Sequence, residues 1–334
     1  MDPYAASVAH SISVVIPVFR VAAELPALIR DLESMSTPQT TNEGNSFVIR
    51  EIIAVYDGGS FEGAAALRTA VEHSGLVRVV WLSRNFGQHP ATLAGMSASA
   101  GEWIVTLDED GQFPPSAIPK LLDHAIKEQC PIVYGQPTTP TPHPLWRRAT
   151  SWLARSLFKV VSDNKDWSRF SSFRLMLGEL GRAVGAYCTN ETYLDVALTW
   201  VSPRSSSVKI PYQDTRSGSA YSLGRLSAHF MRMFLTMGTR PMRIFAVAGA
   251  FAALVGFGLS GALLYRRVVY GFPTGFASTL ALLLIMTGLL LLGLAVLAEY
   301  IGLIVRNAIG RPLYVSVSDP TQSALTRDRR TASP

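Results

Sequence analysis

The chain has 334 residues, 48% of them hydrophobic and only 16% charged, against about 25% charged in an average soluble domain. That balance excludes a disordered chain and a nucleic-acid-coating tail. The net charge of +6 is too mild to argue for nucleic acid and suits anionic ligands or an anionic lipid surface. Two cysteines, Cys130 and Cys188, exclude a disulfide scaffold or a four-cysteine zinc site and suit a reducing cytosol.

Residues 1–10 lack the basic stretch of a signal peptide, and Ile12–Phe19 holds Pro17 and is too short to span a bilayer. Strand and helix patterns then alternate to about residue 135. Strands are predicted at Ser13–Val18, Val48–Val55, Val77–Leu82, Trp103–Leu107 and Pro131–Tyr134. Helices are predicted at Leu25–Leu32, Gly63 to His73, Pro90–Ser99 and Ser116–Glu128. Short buried strands between helices imply an α/β domain, a parallel sheet covered on both faces. Ligands of such sheets sit at the carboxyl ends of the strands.

Pro137–Pro144 (PTTPTPHP) reads as a linker beside that site. Trp146–Val160 and Leu223–Met237 are amphipathic with basic faces, the pattern of helices lying at a membrane surface. Ile244 to Tyr265 and Ala277 to Leu297 carry no charge and are apolar on every face, so both read as membrane spans of about 20 residues. The short connection holds Arg266, Arg267 and Pro273, making the two spans a hairpin. Arg232, Arg240, Arg243, Arg306 and Arg311 in the flanks outnumber the two loop arginines and favour cytosolic flanks. The expected organisation is a catalytic domain over 1–222, an interfacial helix over 223–243 and a transmembrane hairpin over 244–305. A cytosolic C-terminal segment follows over 306–334, disordered after Asp319.

The segment with the most chemistry is Thr106–Pro115, TLDEDGQFPP. A buried strand ends at Leu107, and Asp108 and Asp110 follow with one residue between them, then Gln112. Alternate side chains of an extended turn point the same way. Two carboxylates and a neutral oxygen would then converge, and their repulsion calls for a cation. Oxygen-only ligands suit Mg2+ or Mn2+, with substrate phosphates completing the shell.

With these segments in view, the chain resembles the family 2 glycosyltransferases. SVVIPVFRVAAELP, EIIAVYDGGS, LSRNFGQHPATLAGM, VTLDEDGQFPP, SSFRLM, RSGSAYSLGRL and EYIGLIVRNAIGRPLY carry the likeness over about residues 11–318. It is most similar to the polyprenyl-phosphate glycosyltransferases, the GtrB/ArnC-like group related to dolichol-phosphate mannose synthase. The resemblance implies a GT-A (Rossmann-like) fold and an inverting, metal-dependent transfer from a nucleotide-sugar to a polyprenyl phosphate at a bilayer. The implied location is the cytosolic side of the cell's inner (plasma) membrane, with the chain multi-pass.

The family's roles carry over by motif. Pro17, Glu24 and Asp57 would hold the nucleoside; Arg84 and Asn85 would line the donor site. Asp108, Asp110 and Gln112 would bind metal and diphosphate. Arg174, Arg216, Ser219 and Tyr221 would face the phosphates or close over them. The motifs also depart from the family: YDGGS replaces a common DDGS, Phe61 stands where Asp is common, Ser172 replaces an Asp in SSFRLM, and Ala220 replaces a Lys. Asp195 in NETYLDVALTW either orients a sugar hydroxyl or caps a helix, and His89 lies near the donor or is a loop residue. A phosphate acceptor is already ionised and needs no general base. A hydroxyl acceptor would need one, with Asp195 the candidate, and a non-catalytic membrane scaffold is a third reading. The expected partners are the nucleotide-sugar donor, the polyprenyl phosphate and the lipid bilayer, with a homo-oligomer permitted and nucleic acid excluded.

Overall fold

The computed structural model of the chain describes residues 9–58, 60–138, 169–188, 193–212, 276–309 and 312–322, with scattered positions between 249 and 270. The described residues of 9–212 and 312–322 form one compact unit, and those of 249–309 a second.

The first unit is built on one sheet. β1 (His10–Val18), β3 (Ser46–Tyr56), β4 (Val77–Leu82) and β5 (Trp103–Thr106) arise from the predicted β-branched runs. β2 (Gln39–Thr40) pairs antiparallel with β3. β6 (Ile132–Pro137), β7 (Arg174–Leu177), β8 (Ser206–Ile210) and β9 (Ser316–Val317) complete the order β8-β6-β7-β5-β1-β3-β4-β9. Side chains alternate across it. Ile12, Val14, Ile16 and Val18 of β1 enter one apolar cluster and Val15 the other, as a period of two requires.

Helices cover both faces. α1 (Leu25–Glu33), α2 (Phe61–Val71) and α4 (Ile118–Lys127) supply the first cluster. α3 (Gln88–Ala98), α5 (Gly178–Tyr187) and α6 (Leu194–Val201) supply the second. α1 buries Leu25, Leu28, Ile29 and Leu32, one helical stripe. The Ser60 hydroxyl caps α2 by accepting from Gly63 N at 3.2 Å. A Cβ on Gly95 of α3 would lie 2.3 Å from Val15 Cγ1. Glycine there lets α3 rest directly on β1, close behind the strand end that forms the site.

The sheet is not wholly parallel, contrary to expectation. β7 runs antiparallel to both β5 and β6. β6 leaves the sheet at its carboxyl end, and the chain re-enters beside that end at Arg174, since Tyr134 pairs with Arg174. A strand entering there has to run backwards. The remaining order places the site: the chain winds from β1 out through β3 to β4, then returns to set β5 on the other side of β1. The carboxyl ends of β1, β3 and β5 therefore flank a switch point, where open α/β sheets leave a crevice.

The segment after the apolar region returns to this sheet. β9 pairs antiparallel with β4, Trp81 opposite Val317 and Leu82 opposite Ser316. Leu313 and Tyr314 pack on the second cluster. Arg68 of α2 donates to Thr321 Oγ1 at 3.1 Å and pairs with Asp319 Oδ2 at 3.4 Å. Order thus continues past Asp319, where a disordered tail was expected: Pro320–Gln322 forms a 3-10 turn and Thr321 is buried.

In the second unit, α7 (Phe276–Ala308) is a 33-residue helix, about 50 Å long at ~1.5 Å per residue. It contains the expected span 277–297 and continues to Ala308. Charge at Glu299 and Arg306 ends an apolar run without ending backbone hydrogen bonding. Its window Ile285–Gly302 has mean hydropathy 1.9, and it is the one helix among the described residues long and apolar enough to cross a membrane. Of the other expected span and its loop, the positions described between 249 and 270 are all helical. The basic amphipathic stretches at Trp146–Val160 and Leu223–Met237 lie outside the described residues.

Candidate active site

A cleft of about 460 Å³ opens at the switch point. β1 contributes Pro17, Val18 and the loop residues Phe19 and Ala22; the end of β3 contributes Asp57. The loop before α3 adds Asn85 and Gly87, and α3 adds Gln88. The loop after β5 supplies Asp108, Glu109, Asp110 and Gln112, and Ser172 enters from the segment before β7.

Each loop is fixed by bonds its own sequence provides. Asp57 is 3% exposed, and its two oxygens accept from Phe86 N at 2.8 Å and Gly87 N at 2.9 Å. Burial pushes its pKa up against the pull of those two N–H groups. The loop 84–87 also lies so close that a Cβ on Gly58 would sit 1.8 Å from the Arg84 carbonyl carbon. Gly58 has φ of +51°, so glycine is required there twice over.

Asp108 is held from both sides. Gln88 Nε2 donates to its Oδ1 at 2.6 Å and Ser172 Oγ to its Oδ2 at 2.6 Å. Ser172 reaches it because β7 pairs with β5, and the Thr106 hydroxyl donates to the Ser172 carbonyl at 2.5 Å. Asp110 Oδ1 accepts from Gln112 N at 3.4 Å. Gln112 Oε1 accepts from the Tyr212 hydroxyl at 2.7 Å. Beyond it Phe113 stacks on Phe173 with ring centroids 5.1 Å apart, anchoring the loop in the core. Among the described residues no three His, Cys, Asp or Glu side chains form a metal cage of their own.

The structure brings Pro17, Asp57, Asn85, Asp108, Asp110 and Gln112 to one cleft. Glu24 is exposed at the N-cap of α1, with its side-chain carbons beside Gly111, next to the cleft without lining it. The Arg84 guanidinium lies over the Phe86 ring at 4.4 Å and is not among the lining residues. Arg216, Ser219 and Tyr221 lie outside the described residues. Gln88, Phe19 and Glu109 line the cleft without having been singled out from the sequence. For Gln88 the signal was its place inside SRNFGQ; for Glu109 it was a third acid between two others.

Neither Arg174 nor Asp195 lines the cleft, although the charge of Asp108 in the cleft acts on Arg174. They form a buried ion pair, 4% and 2% exposed. Asp195 also engages Tyr134, and Tyr193 packs edge-on against His89 at 4.3 Å. Burial opposes the guanidinium's charge, but Asp195 and its neighbours hold Arg174 above its ordinary value; burial pushes Asp195 up against the pull of Arg174. The same burial, with Asp195 nearby, raises Tyr193 to about 12. Among the described residues Arg174 Nε has no hydrogen-bond partner. On β7, Arg174 is flanked by Thr106 of β5 and Tyr134 of β6. The pair thus braces the start of β7, two residues after Ser172.

Removing one member leaves the other charge buried and alone, typically ~3–5 kcal/mol, whereas an apolar pair of similar volume is often tolerated. Arg174→Met and Asp195→Leu should each lower the melting temperature strongly, and the double substitution should recover most of the loss. A double variant that melts at the sum of the two losses would refute the pairing.

Similarity to known proteins is specific. The Glycosyl transferase family 2 model matches residues 13–194, more than half of the chain. The undecaprenyl-phosphate 4-deoxy-4-formamido-L-arabinose transferase of Pseudomonas aeruginosa is 30% identical, over 94% of this chain and 91% of its own length. The enzyme of the same name from Aeromonas hydrophila is 29% identical, over 96% and 97%. Among solved structures, glucosyl-3-phosphoglycerate synthase from Mycobacterium tuberculosis with Mn2+ and UDP superposes with a TM-score of 0.49 at 17% identity, over 69% of this chain and 80% of that one. The mostly parallel sheet and its switch-point cleft are the GT-A-like α/β arrangement that the resemblance implied. By the family match and by relatives aligned over nearly their whole length, the chain belongs to glycosyl transferase family 2 and is a glycosyltransferase.

Proposed function

We propose that this enzyme is membrane-bound and moves a sugar, with inversion, from a nucleotide-sugar to a polyprenyl phosphate of the undecaprenyl type on the cytosolic face of the cell membrane. One observation carries the reading. Asp57, Asp108, Glu109 and Asp110 all line the cleft, and among the described lining residues there is no Lys or Arg. A diphosphate cannot approach four carboxylates unless a cation lies between them.

The donor set fits Mg2+ or Mn2+, which take one or two carboxylates and complete their shell with phosphate oxygens and water. Asp108, oriented by Gln88 and Ser172, and Asp110 would hold the ion, with the Gln112 carbonyl beside them. Bound there, it would offset charge on the departing diphosphate. The chain's own residues do the positioning. Pro17 and Asp57 form the wall for the nucleoside, and the exposed Phe19 ring offers a stacking face. Arg216, Ser219 and Tyr221 would supply the remaining phosphate contacts.

In the transfer an acceptor phosphate oxygen attacks the anomeric carbon. The bond from that carbon to the diphosphate breaks, and the nucleoside diphosphate leaves with the electron pair. No proton has to be removed, and the site supports that economy. Asp195, the candidate base for a hydroxyl acceptor, is buried and paired with Arg174. Asp57, Asp108 and Glu109 each accept hydrogen bonds on both oxygens. The names of the relatives point to the same acceptor class.

The membrane arrangement rests on β9. Strands before and after the apolar region lie in one sheet, so a chain that crosses the bilayer in α7 has to cross once more to return. The helical positions between 249 and 270 supply that second crossing, giving the hairpin 244–305 after a catalytic domain over 1–222 and an interfacial helix over 223–243. Tags at residues 1 and 334 should both be reachable from the cytosol; one protected and one exposed would refute the hairpin.

The function is tested with purified full-length protein, a panel of UDP-, GDP- and dTDP-sugars, and undecaprenyl phosphate beside undecaprenol, read by lipid mass spectrometry. Sugar should appear on the phosphate lipid alone, and EDTA should abolish it until Mg2+ or Mn2+ is restored. Transfer only to the alcohol, or full activity in EDTA, would overturn the reading.

A further inference from the structure

The middle acid of the Asp108–Asp110 triplet has a separate partner. Glu109 Oε1 accepts from Phe19 N at 3.1 Å and from Arg20 N at 3.3 Å, and its Oε2 accepts from Ala22 N at 3.0 Å. Three backbone N–H groups turned toward one point form a concavity that binds anions. Here the chain fills it with its own carboxylate. The turn that creates it passes through Val21 at φ of +52°, a left-handed conformation that a β-branched residue adopts only when its surroundings impose it. The Val21 side chain is itself packed on the first apolar cluster. Two forces therefore hold the turn: apolar packing beneath and the Glu109 carboxylate above.

The clasp joins two walls of one cleft. Phe19 and Ala22 of the β1–α1 loop and Asp108 and Asp110 of the β5 loop line the same space, and the two loops are 90 residues apart in the sequence. The three consecutive acids reach three different places. Asp108 is held by Gln88 and Ser172, Glu109 by the β1–α1 loop, and Asp110 by its own turn at Gln112. Among the described residues no other side chain hydrogen-bonds to the backbone N–H groups of Phe19, Arg20 and Ala22. We propose that Glu109 is a positioning residue for the donor: its carboxylate locks the nucleoside wall and the diphosphate carboxylates into one register. This rests on the reading of the cleft as a nucleotide-sugar site. It assigns Glu109 no contact with metal or sugar.

The test uses full-length Glu109→Ala and Glu109→Gln. Gln keeps one acceptor oxygen, which serves two of the three N–H groups, so it should act as a partial rescue. Hydrogen bonds to a charged group are worth enough to change affinity about tenfold or more when lost. Glu109→Ala should raise the KM for the nucleotide-sugar by about that factor and leave the KM for undecaprenyl phosphate within about twofold, with a modest fall in melting temperature because Val21 still packs the turn; Glu109→Gln should fall between. Formate added to Glu109→Ala should fill the empty concavity and recover part of the donor affinity. Amide exchange, measured with no ligand, should quicken at residues 19–22 in Glu109→Ala and nowhere else in the first unit. Unchanged exchange there, or donor and acceptor KM rising together with a large fall in melting temperature, would overturn the proposal. If the wild type bound no nucleotide-sugar, the reading of the cleft would fail; unchanged donor kinetics in Glu109→Ala with faster exchange would overturn the donor role alone.

Discussion

Negative charge gathered at one end of a sheet is the constraint around which this domain is arranged. Asp57, Asp108, Glu109 and Asp110 stand at the ends of two strands and share one cleft. Like charges so close oppose each other, and the fold holds them by giving every oxygen of three of them a donor. Backbone N–H groups of the loop before α3 serve Asp57, those of the β1–α1 loop serve Glu109, and Gln88 with Ser172 serves Asp108. Each bond stabilises a charge and also ties one loop to another. The electrostatics of the site and its rigidity are therefore one feature. Among the described lining residues the net charge is left uncompensated, and the ligand proposed for the cleft answers it: a cation with an anion behind it.

The topology explains why these groups meet at all. β1 is flanked by β3 and β5 because the winding reverses there. The antiparallel β7 then brings Ser172 to Asp108 from a segment more than sixty residues further on. Arg174, two residues beyond at the start of β7, is tied to Asp195 of α6. An ion pair that does not line the cleft can still act on the site, since it fixes the start of the strand just after Ser172.

Much of the frame was legible in the sequence because it depends on local periodicity. The β-branched runs of β1, β3, β4 and β5 and the apolar stripes of α1 and α4 state their faces directly. Asp108, Asp110 and Gln112 were legible because they follow a buried strand at fixed spacing. β7, β8 and β9 were not: RLML has no β-branched residue, SSVKI interrupts its run with Ser and Lys, and SV is two residues long, whereas the equally short β5 reads WIVT. Arg174 was expected at the phosphates because its motif gives no sign of the buried carboxylate that pairs with it. Its partner Asp195 is 21 residues away, and only the packing of α6 reveals it. Glu109 was hidden by its neighbours. In a run of three acids, spacing points to the outer two, while the task of the middle one is set by N–H groups 90 residues earlier.

The account stands on the claim that this cleft takes a divalent cation together with a nucleoside diphosphate. Electron paramagnetic resonance of Mn2+, titrated into the full-length protein with and without UDP, GDP or dTDP, tests it most directly. The account predicts a bound Mn2+ signal that appears only when a nucleoside diphosphate is present and is lost in Asp108→Asn. A bound signal indifferent to both nucleotide and Asp108, or nucleotide bound equally well with no divalent cation, would contradict it.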